Sequence, residues 1–185
     1  MLNVGSTEIP DIRILTPRRF ADDRGFFSEV YNRARLTEAG IDMNVVQDNH
    51  SLSRPAGTVR GLHFQTPPFA QDKLIRVTRG RIFDAVVDLR RSSPSYGRHV
   101  AVELSAENWQ QLFVPAGFAH GFCTLEADTE VIYKVSAPYS PEHDFGLAWD
   151  DPALAIQWPV AKSSALLSEK DRRHPMLADL PAYFA

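Results

Sequence analysis

The chain holds one cysteine in 185 residues, no excess of basic side chains and no long apolar run. Each shortage excludes something. Cys123, alone, cannot form an intramolecular disulfide, and a reducing cytoplasm is the compartment this fits. It sits in the apolar run GFAHGFCTL and reads as core filler. Lysine and arginine number 20 against 23 acids, a formal charge of −3. That balance excludes the broad basic field of a nucleic-acid or anionic-membrane binder, so any anion must be held by a local cluster. No stretch approaches the ~20 apolar residues of a membrane span, and MLNVGSTEIPDIRIL lacks the basic-then-apolar pattern of a secretory signal. No glycine-rich phosphate loop, CxxC pair, GxSxG or dinucleotide fingerprint occurs, which leaves nicotinamide redox and serine-based hydrolysis without a handle.

What is present is β-structure. Repeats, low-complexity tracts and linkers are missing, so residues 1–185 read as a single domain. One short helix is expected over NRARLTEAG (32–40), capped by Asn32 and stopped by a left-handed Gly40. SSALLSEKDRR near the C-terminus can hold another turn or two. The rest is short runs: FFSEVY, MNVVQD, TVRGLHFQ, KLIRVTRG, RIFDAVVDLR, RHVAVEL, QLFVP, GFAHGFCTL and EVIYKVS. Their spacing is that of an all-β sandwich or barrel, with TRGR (78–81) as a hairpin turn. A jelly roll of the cupin type, two sheets closed on each other, fits best, because one sheet of that many strands would leave long open edges.

The stretch RGLHFQTPPFAQDK (60–73) concentrates Arg60, His63 and Lys73 with no acid close by to balance them. A strand histidine among apolar neighbours is commonly structural. Beside cations, however, its proton affinity drops, so at neutral pH it is free to accept a proton. Such a base needs a partner on its other nitrogen. Asp84, Asp88, Asp144 and Asp171 are the candidates, and spacing does not choose among them. Strict alternation puts His63 on one face with Val59, and Arg60 on the other with Leu62 and Phe64. Both reach one cavity only if the strand is bulged, and Gly61 is the place for it. In EVIYKVS, Val131, Tyr133 and Val135 share a face, where a phenol either packs or delivers a proton. Arg24 in DDRGFF, with Arg60 and Lys73, is either a solvated charge or part of an anion clamp. A metal site wants paired imidazoles plus a carboxylate. Here His63-Phe64-Gln65 lacks the second ligand, and His50, His99, His120 and His143 are scattered, so no metal is expected.

Several ordered motifs carry a resemblance: TEIPDIRIL, DDRGFF, QDNHS, VRGLHFQ, VDLR, LSAEN, QLFVPAGFAHGF, YSPEHD and LLSEKD. Together they resemble the dTDP-4-dehydrorhamnose 3,5-epimerase family over nearly the whole chain. The resemblance implies a cupin-type jelly roll without metal or other cofactor. It also implies a homodimer whose N-terminal segment reaches the partner's site, and a substrate, dTDP-4-dehydro-6-deoxyglucose, whose ketone lies between the two carbons to be inverted. His63 then matches the base, Asp171 its carboxylate, Lys73 the holder of the enolate oxygen and Tyr133 the acid on the opposite face. Arg24, Glu29, Gln47, Asp48, Asn49, Arg60, His120, Asp144 and Lys170 match contact positions, with Glu142 an alternative to Asp144. Tyr139 falls where an aromatic positions the nucleotide. Three other readings stay open: a single-carbon epimerase, a non-catalytic sugar-nucleotide-binding cupin and a metal-dependent cupin.

Overall fold

Valine, isoleucine and phenylalanine recur in runs of three to eight residues, each closed by turn formers, and the runs pair edge to edge in a computed structural model that describes residues 2–185. In chain order the strands are β1 (Leu2–Ser6), β2 (Arg13–Pro17), β3 (Phe20–Asp22) and β4 (Gly25–Phe27), then helix α1 (Arg33–Glu38), then β5 (Gln47–Ser53), β6 (Val59–Gln65) and β7 (Lys73–Arg79). After them come β8 (Arg81–Asp88), β9 (His99–Ser105), β10 (Gln111–Val114), β11 (Phe118–Thr124), β12 (Thr129–Val135) and β13 (Asp144–Gly146). One sheet runs β1-β2-β10-β7-β12-β5, the other β13-β6-β11-β8-β9, and β3 and β4 form a separate hairpin. All the ladders between these strands are antiparallel, and the two sheets face each other as a jelly roll.

The core between the sheets takes residues from both: Ile75, Val77, Leu112 and Val131 from one, Ile82, Val86, Leu104, Phe118 and Phe122 from the other. Strand β11 is buried at every position. Its own Ala119 and the outward residues Leu62, Phe64, Ala85 and Val87 of the adjoining strands pack under the C-terminal segment through Leu154, Leu180, Tyr183 and Phe184. A sheet covered on both faces needs strands apolar on both faces, which is why RIFDAVVD and FAHGFCT read as nearly continuous apolar runs. Cys123 belongs to this outer layer, buried with Val59 and Trp149, and burial pushes its thiol up to about 11.

Helix α1 is the short element expected, with Asn32 accepting from the Arg35 amide and Gly40 at φ +78°. Asp171–Arg173 in the C-terminal stretch is a single 3-10 turn. Three expectations need correction. TRGR is not a hairpin: β7 and β8 lie in different sheets, and at Gly80 the chain turns the corner between them. MNVVQD is strand only from Gln47, because the apolar residues before it cover the flank of α1. FFSEVY is strand only to Phe27, since β4 pairs with three residues of β3 and nothing else.

The feature that positions the site lies between β6 and β11. His63 pairs with His120 and Arg60 with Phe122, so three steps along β6 span two along β11. This extra residue is the bulge at Gly61, and it resets the alternation so that Arg60 and His63 face the same side. Gly61 has φ +107°, and a Cβ there would come within 2.6 Å of the His120 carbonyl oxygen. We expect Gly61→Ala to cost about 2 kcal/mol or more in denaturant unfolding. Gly40→Ala, also at positive φ but with open space at its Cβ, should cost about 1 kcal/mol. Equal losses would contradict the close strand approach at Gly61.

Candidate active site

Five strands and one C-terminal turn converge on a cavity of about 240 Å³ at one end of the sandwich. Arg60 and His63 come from β6, His120 and Phe122 from β11, and Lys73 from β7. Lys73 shares its sheet with Tyr133 of β12 and Ser51 of β5, and these three face the residues of β6 and β11, while Ser168, Lys170 and Asp171 close the side. A wider cleft of about 750 Å³ beside α1 offers only Arg35 and Glu38 as ionisable groups. Volume alone therefore does not locate the chemistry; convergent titratable groups do.

His63 Nε2 lies 2.5 Å from Asp171 Oδ1, and the Ser168 hydroxyl donates to Oδ2 at 2.8 Å. Of the four aspartates weighed as its partner, only Asp171 bonds it; Asp84 bonds His120, Asp88 is held by Arg90, Ser93 and Ser95, and Asp144 pairs with Lys170. Burial lowers the proton affinity of His63 more than Asp171 raises it, with Lys73 and His174 adding to the fall. For Asp171, burial pushes upward, but the nearby His174 and His63 imidazoles and the Ser168 hydroxyl outweigh it and keep the group ionised. The result is a neutral imidazole whose Nε2 is engaged and whose other nitrogen is free.

Lys73 is 8 % exposed, and its Nζ donates to the His63 carbonyl at 3.2 Å. Burial pushes its ammonium down to about 8, against the pull of Asp144 and Asp84. Below it His120 Nε2 and Asp84 Oδ2 make a second imidazole–carboxylate pair at 2.9 Å, with Asp84 wholly buried. Burial also raises Tyr133, assisted by Asp144 and opposed by Arg60, so its phenol keeps its proton. The cations of residues 60–73 thus meet their acids in space, through Asp171, Asp84 and Asp144.

From Lys170 a polar chain leads away from the cavity. Lys170 pairs with Asp144, the Asp144 carboxylate raises the Tyr139 phenol beside it, and Gln47 Oε1 accepts from the Tyr139 amide at 3.0 Å. Gln47 then donates to Asn49 at 2.8 Å. Three candidate positions are not brought in. Arg24, its side chain 89 % exposed, sits on the β3–β4 turn paired with Asp22. Glu29 pairs with Arg35, and Asp48 points to the outer face of its sheet, where it pairs with Lys134.

Ser51, Phe122, Ser168 and His174 were missed from sequence. Ser51 was readable, because it lies two residues beyond Asn49 on the same strand face. His174 was readable only with knowledge of a 3-10 turn, whose period stacks residues three apart. His63 Nε2, Asp171 Oδ1 and His174 Nε2 lie within 4.8 Å of one another, the donor set of a transition metal. As they stand His63 and Asp171 are hydrogen-bonded at 2.5 Å, and donors on one ion at ~2.0–2.1 Å would sit further apart than this.

The family model for dTDP-4-dehydrorhamnose 3,5-epimerase matches residues 6–179. A dTDP-4-dehydrorhamnose 3,5-epimerase of Sinorhizobium fredii is 56% identical over 179 residues, 97% of this chain and 91% of that one. Among solved structures, the dTDP-6-deoxy-D-glucose-3,5-epimerase of Legionella pneumophila, in complex with dTDP-4-keto-L-rhamnose, superposes with a TM-score of 0.94 at 41% identity, covering 98% of this chain and 96% of that one. A 3'-monoepimerase of Streptomyces bikiniensis in complex with dTDP-quinovose gives 0.87 at 32% identity, with 94% and 87% covered.

Lys73 yields a stability prediction. Its pKa is depressed in the fold, so the penalty is full below about 8 and vanishes above the unfolded value of 10.5. Lys73→Met should therefore raise unfolding stability at pH 7 by up to about 3 kcal/mol, and the gain should shrink as pH rises from 8 to 10.5. A variant less stable than wild type at pH 7 would show that Lys73 is held by more than it loses on burial.

Proposed function

The chain is an isomerase of the dTDP-4-dehydrorhamnose 3,5-epimerase family, and on that footing we propose that it inverts carbons 3 and 5 of dTDP-4-dehydro-6-deoxyglucose by proton exchange through an enolate. The observation that carries this reading is the placement of His63 and Tyr133 on opposite sheets across one cavity. Inversion requires a base on one face of the sugar and an acid on the other, and a half-buried neutral imidazole opposite a protonated phenol supplies both.

In the proposed cycle the free nitrogen of His63 takes the hydrogen beside the C4 ketone. Asp171 holds the ring through Nε2 and steadies the imidazolium that forms. Negative charge moves to the ketone oxygen, where Lys73 meets it in a dry site; preorganised charge of this kind commonly contributes more to such catalysis than any other single effect. Tyr133 returns a proton from the other side; once His63 has given its proton to solvent and Tyr133 has regained one, repetition at the second carbon completes the product. The reading calls on no metal or other cofactor. A cavity of about 240 Å³ is smaller than the ~300–1,000 Å³ that encloses a drug-sized ligand. It suits the sugar ring, with Arg60 at the mouth for the diphosphate and Tyr139, on the polar chain from Lys170, for the base. The single cysteine suits a reaction in the cytoplasm, and no helix among the described residues is long and apolar enough to cross a membrane.

We further propose a homodimer. Phe20, Phe26 and Phe27 of the β3–β4 hairpin are half exposed or more, an unusual apolar load around Arg24. Arg24, Glu29 and Asp48 are remote from the cavity of their own chain, which suits a hairpin that serves the partner's site.

Turnover in D2O tests the chemistry: label should enter at both carbons 3 and 5. Label at one carbon alone would favour a single-carbon epimerase, and binding without exchange a non-catalytic cupin. His63→Ala should abolish exchange, and wild-type turnover by it would end the base assignment. Tyr133→Phe should still wash in deuterium while completed inversion falls ~10²-fold or more. Complementation tests the dimer. Arg24→Ala and His63→Ala subunits should each be inactive alone, and mixing them should restore activity through the one site that has both residues. Failure of the mixture to recover would put Arg24 in its own chain's site or in none.

A further inference from the structure

One member of the constellation is unused by the mechanism above. His174 follows the 3-10 turn that carries Asp171, and the turn's three-residue period brings its imidazole over that carboxylate. Its side chain is 8 % exposed, and Nε2 lies 3.4 Å from Asp171 Oδ1 without the alignment of a hydrogen bond and with no other polar partner among the described residues. The ring meets His63 edge to face, with centroids 5.5 Å apart. Its slot is built by Gly146, the β13 residue opposite His63, where a Cβ would come within 2.3 Å of Nε2. A buried N–H left unpaired is costly, and such exceptions in native folds call for an explanation. An apolar ring would fill this slot without that cost.

We infer that His174 is a positioning residue: its Nε2–H, turned onto Asp171 Oδ1, holds the carboxylate against His63 and shares its charge, so that the proton taken from the sugar stays on His63 instead of passing to Asp171. This rests on the reading of His63 as base. Oδ2 is already held by Ser168, and Oδ1 keeps acceptor capacity beyond the His63 bond. A donor on Oδ1 lowers the basicity of the carboxylate, and through it that of His63. The charged or titratable groups facing His63 are Lys170, Asp171 and His174 from the C-terminal segment, Arg60 of its own strand, Lys73 of β7, His120 of β11 and Tyr133 of β12. His174 itself faces Asp171 and His63, with Asp144, Glu169, Lys170 and Arg173 lining the cleft outside it.

The test compares two substitutions across pH, with solvent deuterium wash-in and turnover as readouts. His174→Phe keeps the ring and removes the N–H. It should lose ~10-fold in kcat with KM little changed, and the acidic limb of kcat/KM should move to higher pH as His63 becomes more basic. His174→Gln restores an N–H donor and should keep the wild-type limb, with kcat within about threefold. His174→Leu carries the same expectation as Phe should the larger ring not fold. Phe or Leu variants matching wild type, or Gln losing as much as they do with no shift of the limb, would overturn the inference and leave a packing role. Absence of wash-in by the wild-type enzyme would overturn the base reading together with it, whereas normal wild-type wash-in with a silent Phe variant removes this inference alone.

Discussion

At Gly61 three steps of β6 lie against two of β11, and the site depends on that mismatch. Without the extra residue, Arg60 and His63 would point to opposite faces, one into the sandwich and one under the C-terminal segment. The bulge turns both inward. It is made by a glycine at φ +107° in close contact with the backbone at His120 and Gly121, a conformation and an approach that a side chain would obstruct. Arg60 then reaches Ser53 and the Leu52 carbonyl on β5, tying the two sheets together beside the cavity.

The electrostatics follow from where the acids come from. None is local to residues 60–73. Asp84 rises from β8 beneath His120, Asp144 from β13, and Asp171 from a turn more than a hundred residues downstream of His63. Each arrives on an element anchored by apolar packing, so its position is fixed by the core and not by the charge it meets. The core can therefore hold charges that cost stability where they stand. Lys73 is the clearest case, a buried ammonium bonded only to a carbonyl oxygen. In an enolate mechanism that cost is sensible, because the cation lacks a full counter-charge until the substrate oxygen supplies one.

How much of this was legible in the sequence varies with the range of the interaction. Alternation placed Val131, Tyr133 and Val135 on the inner face of β12, because a period of two needs only the strand itself. The need for a bulge at Gly61 was also readable, since two inward residues at odd spacing demand one. The TRGR turn was misjudged because a glycine corner looks alike whether the next strand pairs with the last or crosses to another sheet. His174 was overlooked because its relation to Asp171 depends on a 3-10 turn that no periodicity announces.

The sequence by itself determined the strands from β4 to β12 but not β1, β2, β3 or β13, together with the apolar faces, the single cysteine and, through motif order, the family. These are properties of short segments and of composition, set by steric preference and by the partition of side chains between water and core. Only the tertiary structure decided which aspartate serves which histidine, that His63 and Tyr133 face each other across one cavity, and that Arg24 is remote from it within its own chain. Those facts depend on distances between residues far apart in sequence, and such distances are fixed only once the two sheets have closed on a shared core.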